Sequence, residues 1–161
     1  MINIILGPSC IGKSYFIDKI IKSALTYVED TLVGDIWTED IWSKNVCIHF
    51  AMAPRWVNLA NGKFQFREHL DSHGNLLLLS LIKKISELKI PKSVIILGIP
   101  YSEYTDRVKK RRHKLKDYDQ LLQLYIRWIS ELNINEIPYL LVEAIKDYKV
   151  LKEKDFFKMI R

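Results

Sequence analysis

Apolar residues recur along this chain in two rhythms. A short apolar run, Ile2 to Leu6, ends at Gly7 and predicts a strand buried on both faces, because a strand covered on one face alone alternates polar and apolar positions. Helical spacing follows at once. Phe16, Ile17, Ile20, Ile21 and Ala24 recur at intervals of three and four, the pattern of a helix that lays one face on a sheet. Leu25 to Val28 reads as a second strand ending at the acidic pair Glu29 and Asp30, and Leu32, Val33, Ile36, Trp37, Ile41 and Trp42 return to helical spacing across Gly34.

Val46 to Phe50 predicts a third strand. The stretch Ala51 to Ser72 holds Pro54, Gly62 and two arginines with little period, and reads as an insertion of loops and short helices. Leu76 to Leu88 predicts an apolar helix stopped before Pro91, and Val94 to Leu97, followed by Gly98 and Pro100, predicts a fourth strand. A charged helix is expected over Tyr101 to His113. Tyr118, Leu121, Leu122, Tyr125, Trp128, Ile129 and Leu132 mark a further amphipathic helix, and Tyr139 to Val142 a fifth strand before a lysine-rich C-terminal helix. Strands alternating with helices predict an α/β chain in three layers, with a roughly five-stranded parallel sheet flanked by helices. One domain over residues 1–161 is expected, since this length buries one proper core.

Composition narrows the class. Apolar residues make up 48% and charged residues 27%, close to a globular average, so neither disorder nor a fibrous repeat is suggested. The apolar stretch Leu76 to Ile82 is interrupted by Ser80 and falls well short of the roughly 20 residues a membrane span needs. Met1 leads straight into Ile2, Ile4, Ile5 and Leu6 with no basic n-region of a signal peptide, so a cytoplasmic protein without membrane partners is expected. The two cysteines, Cys10 and Cys47, are too few for a disulfide framework, and with the four histidines they make no zinc-type pairing. A formal charge of +6 favours anionic partners, nucleotides and nucleic acid alike.

One segment chooses among them. Gly7-Pro8-Ser9-Cys10-Ile11-Gly12-Lys13-Ser14 fits the phosphate-binding pattern G-x-x-x-x-G-K-[ST], and it follows a predicted strand and opens a predicted helix, the context the pattern requires. Glycines let the backbone bend so that successive amides point at a phosphate, and the following helix adds its positive dipole end. Lys13 can bridge the β- and γ-phosphates, and the Ser14 hydroxyl is placed to ligate Mg²⁺. Gly7, Ser9, Cys10, Ile11, Gly12, Lys13, Ser14 and Tyr15 are therefore the expected nucleotide-binding residues, with ATP and Mg²⁺ as cofactors.

At this point the chain resembles the small P-loop kinases, the family of adenylate, shikimate and gluconate kinases. The resemblance lies in motif order over most of the chain, specific in the phosphate loop and looser elsewhere, and it implies a P-loop NTPase fold and phosphoryl transfer from ATP. It further implies an acidic residue at the end of strand two, to accept the acceptor's proton or hold the Mg²⁺ water shell. Asp30 falls there and Asp35 competes for the role, while either acid also suits a helix cap. A lid segment after strand four, here about 101–117, is implied as well, with arginines four apart: Arg107 and Arg111 would share a helix face and reach base and phosphates. For Lys109, Lys110, Arg112 and Lys114 a solvated face is the preferred reading.

The resemblance also implies that the acceptor binds over about 51–72 and the strand before it. Arg55 and Arg67 can clamp a phosphate or carboxylate. His49, at the end of a strand where open α/β sheets bind ligands, can hydrogen-bond a hydroxyl. Neither an aspartate-x-arginine pair after strand two nor a shikimate or gluconate signature around Arg55 is present, so the acceptor class stays open between nucleoside or nucleotide and sugar-like metabolite. Two other readings stand beside a small-metabolite kinase. One is a kinase of nucleic-acid ends or modified bases in DNA, using the basic run Lys109 to Lys116. The other is a slow NTPase switch, against which stand the lack of an Asn-Lys-x-Asp segment and of an aspartate-ended strand of the Walker B kind after strand three.

Overall fold

A computed structural model describes residues 2–21, 26–29, 46–50, 55–58, 64–67, 82–83, 85–87, 89, 91–113 and 115–161. Eight strands and four α-helices are present among them: β1 (Ile2–Leu6), α1 (Lys13–Phe16), β2 (Thr26–Glu29), β3 (Val46–Phe50), β4 (Arg55–Asn58), β5 (Phe64–Arg67), β6 (Lys92–Gly98), α2 (Tyr101–Lys110), α3 (Tyr118–Ile134), β7 (Leu140–Glu143), β8 (Lys149–Leu151) and α4 (Glu153–Ile160). The chain is mixed α/β with a mostly parallel sheet flanked by helices. Its strand order is β2-β3-β1-β6-β7-β8, and every pairing is parallel except that of β7 with β8.

The apolar runs take the centre of this sheet. Ile4, Ile5 and Leu6 of β1 and Val94, Ile95, Ile96 and Leu97 of β6 are all buried. Since neighbouring residues on a strand point to opposite faces, consecutive burial means that both faces of the sheet are covered here. On α3, Leu121, Leu124, Tyr125, Trp128, Ile129 and Leu132 turn to the core, and the Tyr125 hydroxyl donates to the Leu97 carbonyl over 2.8 Å, tying the helix to β6. A capping box starts that helix: the Asp117 side chain accepts from the Gln120 amide, and the Gln120 side chain accepts from the Asp117 amide.

Several expected elements are revised. The helix after the phosphate motif is α-helical for one turn only, and Ile17–Ile21 form a π-turn. A π-turn advances the face by a wider step than the three-and-four rhythm assumes, so Ile20, expected against the sheet, is 50% exposed. Part of the insertion over 51–72 is neither loop nor short helix: β4 and β5 pair as an antiparallel two-stranded sheet with Arg55 opposite Arg67. Each strand is four residues long, too short for an alternation to stand out. The charged helix ends at Lys110 rather than His113, because Arg112 turns left-handed at φ 53°. Strand β8, three residues with no apolar run, precedes the C-terminal helix. The helix expected over 32–42 lies outside the described residues, and of the one over Leu76 to Leu88 the described helical residues are 82–83 and 85–87. No helix among the described residues is long and apolar enough to cross a membrane.

Candidate phosphate-binding site

Chain order and strand order part company at β1. From β1 the chain fills two positions on one side, β2 and then β3 between them, and then crosses to β6 on the other side. Ligands of open α/β sheets bind at the carboxyl ends of strands beside such a switch in order, and the segment that leaves β1 there is Gly7 to Gly12.

Two left-handed residues shape that segment, Cys10 at φ 69° and Gly12 at φ 104°. Alternation of left- and right-handed backbone curls a chain so that successive amides converge on a point. Apolar burial braces the curl: Ile11 is fully buried and Cys10 nearly so. Ser9, Ser14 and Tyr15 stay exposed. Lys13 opens α1 and folds back under the loop, its Nζ donating to the Gly7 carbonyl over 2.7 Å and to the Pro8 carbonyl over 2.8 Å. Only 4% of Lys13 is exposed, so its ammonium relies on such bonds in place of water.

A second cation reaches the loop from 96 residues further along. The Arg107 guanidinium donates from Nη1 to the Ile11 carbonyl over 2.9 Å and from Nε to Glu103 over 2.7 Å. A side chain at Gly12 would stand 3.3 Å from Arg107 Nη1, so the glycine both takes the left-handed turn and admits the arginine. Arg111, one turn on, is the exposed C-cap residue of α2, and among the described residues it makes no bond to the loop. Around it Lys109, Lys110 and Arg112 are exposed as well, a basic strip at the C-terminal end of α2.

The sequence pattern did not single out Tyr148. Its ring meets that of Phe16 edge-on, with centroids 5.0 Å apart, and its backbone is left-handed at φ 47°. Burial, and after it the nearby Tyr15, push its hydroxyl above the usual tyrosine range, with Arg107 opposing them. Glu103 was also missed, although its place four residues before Arg107 was a readable signal; for Tyr148, brought in by the turn between β7 and β8, the sequence holds none.

The remaining expected residues are placed less fully. His49 pairs in register with Ile5 of β1 and with Glu29 of β2, which puts it at the same carboxyl edge as the loop. Arg55 and Arg67 face each other across the β4–β5 pair, and five steps of chain separate Arg55 from Phe50, the partner of Leu6. Asp30 and Asp35 lie outside the described residues. Among those residues, no group of three or more His, Cys, Asp or Glu side chains suits a metal ion. Mg²⁺ bound with a nucleotide needs only one or two protein ligands, since phosphates and waters supply the rest, and the exposed Ser14 hydroxyl at the start of α1 suits that role. No family model matches the chain, and no curated protein matches its sequence.

Proposed function

We propose that the chain is an ATP-dependent kinase of P-loop type, transferring the γ-phosphoryl group to a hydroxyl or phosphate of a small metabolite, a nucleoside or nucleotide or a sugar-like molecule. The observation that carries this reading is the convergence of Lys13 and Arg107, from opposite halves of the chain, on one curled loop at the switch in strand order. A buried ammonium and a guanidinium around a nest of amides suit polyphosphate far better than a neutral ligand.

In this reading the loop amides from Ser9 to Ser14 hold the phosphates. Lys13 neutralises charge on the β- and γ-oxygens, and Arg107 turns its remaining donors to the group in flight, with Arg111 as a second lid arginine. Ser14 offers its hydroxyl to Mg²⁺, whose charge offsets that of the β- and γ-phosphates. Tyr15 and Tyr148 would border the nucleobase. Asp30, the residue after Glu29, would orient or deprotonate the acceptor, with Asp35 as the alternative acid, and His49, Arg55 and Arg67 would bind the acceptor. Positioning and charge stabilisation account for most of the rate gain in phosphoryl transfer.

The exposed strip Lys109, Lys110, Arg111 and Arg112 favours a second reading, in which the acceptor is a nucleic-acid end or a modified base. Salt separates the two, since counterion release makes nucleic-acid binding fall steeply with ionic strength. The test is an ATP-consumption screen of the protein against nucleosides, nucleotides, sugars, polyols and oligonucleotides, with Lys13→Ala as control. Stimulation by one small-molecule class, lost in the control, is the expected result. Stimulation by oligonucleotides alone, collapsing in high salt, moves the acceptor to nucleic acid. Slow turnover indifferent to every panel makes the chain an NTPase switch instead.

A further inference from the structure

We propose that Glu103 is a positioning residue: with the Ile11 carbonyl it fixes the Arg107 guanidinium on the phosphate loop before any nucleotide arrives, so that Arg107 is a standing part of the phosphate-binding surface. This rests on the phosphate-binding reading of the loop. An arginine in a lid ordinarily arrives when the lid closes; two features of α2 speak for a fixed one, and a third lets the pair be tested without unfolding the chain.

The first is how α2 is seated. It begins directly after β6, through the buried Ile99 and through Pro100, whose carbonyl accepts from the Tyr104 amide over 2.9 Å. Tyr104 and Val108, one turn apart, are each 1% exposed, so the first two turns belong to the core. Glu103 and Arg107 occupy the neighbouring row of the same helix, again one turn apart.

The second is the geometry of the guanidinium. Its Nε bonds Glu103 over 2.7 Å and its Nη1 bonds the Ile11 carbonyl over 2.9 Å. Two bonds from different nitrogens of a rigid planar group fix its plane as well as its position. The guanidinium has five N–H donors, so the remaining ones are left for phosphate oxygens. The third is energetic. Arg107 and Glu103 side chains keep 28% and 43% of their exposure, and exposed pairs of this kind add little to stability. Losing Glu103 should therefore change the aim of Arg107 and leave the fold intact.

The experiment is a double-mutant cycle on Mg·ATP affinity, measured by calorimetry for wild type, Glu103→Ala, Arg107→Ala and the double variant. Glu103→Ala should weaken binding by about two- to five-fold, the most that an exposed pair of up to about 1 kcal/mol can contribute by holding the arginine in place, while its melting temperature stays within about 2 °C of wild type. The double variant should bind no worse than Arg107→Ala, because Glu103 acts through the arginine. Glu103→Gln, which keeps an acceptor for Nε, should recover most of the loss, and Arg107→Lys, which keeps the charge without the two-bond geometry, should not. Wild-type affinity in Glu103→Ala, or losses that simply add in the double variant, would overturn the proposal. Hydrogen exchange of the loop amides in nucleotide-free protein separates this from the kinase reading. If wild type binds no ATP, the kinase reading falls, and the clamp is decided by exchange alone: equally faster loop exchange in Glu103→Ala and Arg107→Ala upholds it, and unchanged exchange sinks it.

Discussion

Arg112 and Glu136 do the same backbone job at the ends of two helices. After α2, Arg112 is left-handed at φ 53°, its amide bonding the Lys109 carbonyl and that of His113 the Val108 carbonyl; after α3, Glu136 at φ 53° bonds Asn133 and Ile137 bonds Leu132. These are the paired bonds of a Schellman motif, in which glycine usually holds the left-handed position. A side chain there costs about 1–2 kcal/mol, partly offset by the roughly 0.5–1 kcal/mol of chain entropy that glycine forfeits on folding. Charge then separates the two sites. Arg112 complements the negative end of α2, whereas Glu136 opposes that of α3. Glu136→Gly should accordingly raise stability by about 1 kcal/mol, with Arg112→Gly gaining less, and urea midpoints would show the order. A loss of stability in Glu136→Gly would mean that the left-handed turn carries no strain there.

β6 and α4 approach each other closely at Gly98. A β-carbon on Gly98 would stand 2.5 and 2.6 Å from ring atoms of Phe156, which is fully buried and packs edge-on against Tyr125 of α3 with centroids 5.3 Å apart. The ring has no solvent side to retreat to. Gly98→Ala should therefore destabilise by about 1–3 kcal/mol, the range for overpacking a filled core, and Gly98→Ala with Phe156→Leu should recover part of that loss. Thermal unfolding of both variants checks the point, and an unshifted melting temperature in the single variant would refute it.

Elements of this kind differed in how openly the sequence announced them. β1 and β6 are short apolar runs closed by turn residues, and α3 carries both a long amphipathic rhythm and the Asp117–Gln120 cap, so each is written locally. β8 and the β4–β5 pair are held by partners rather than by their own pattern, and the π-turn at Ile17–Ile21 has no local signature at all. The site divides along the same line. The phosphate loop is contiguous and legible from Gly7 to Ser14, whereas the contacts of Arg107 with Ile11 and of Tyr148 with Phe16 join distant segments that only the folded chain brings together.

For the molecule as a whole, buried phenols set an alkaline limit. Burial raises the pKa of Tyr104 and Tyr139 and raises that of Tyr125 well above the usual value; Tyr148 moves the same way for the same leading reason. Tyr125 matters most, being fully buried with its hydroxyl donating to Leu97 at the sheet centre. The folded chain therefore holds these protons to higher pH than the unfolded chain does. Their contribution to stability is complete below the unfolded tyrosine pKa of about 10, and it is lost as pH rises from there towards the folded values. Each tyrosine that titrates only in the unfolded chain lowers the unfolding free energy by about 1.4 kcal/mol per pH unit in that window. Urea midpoints should show no tyrosine-dependent slope between pH 7 and 9 and should fall above pH 10. Tyrosinate absorbance should rise in two steps, exposed phenols first and Tyr125 together with unfolding. Tyr125→Phe, although less stable at neutral pH for want of the bond to Leu97, should fall less steeply. Complete tyrosine titration near pH 10 in a chain that stays folded would contradict the burial of Tyr125, and with it the packing of α3 on β6 behind the phosphate loop.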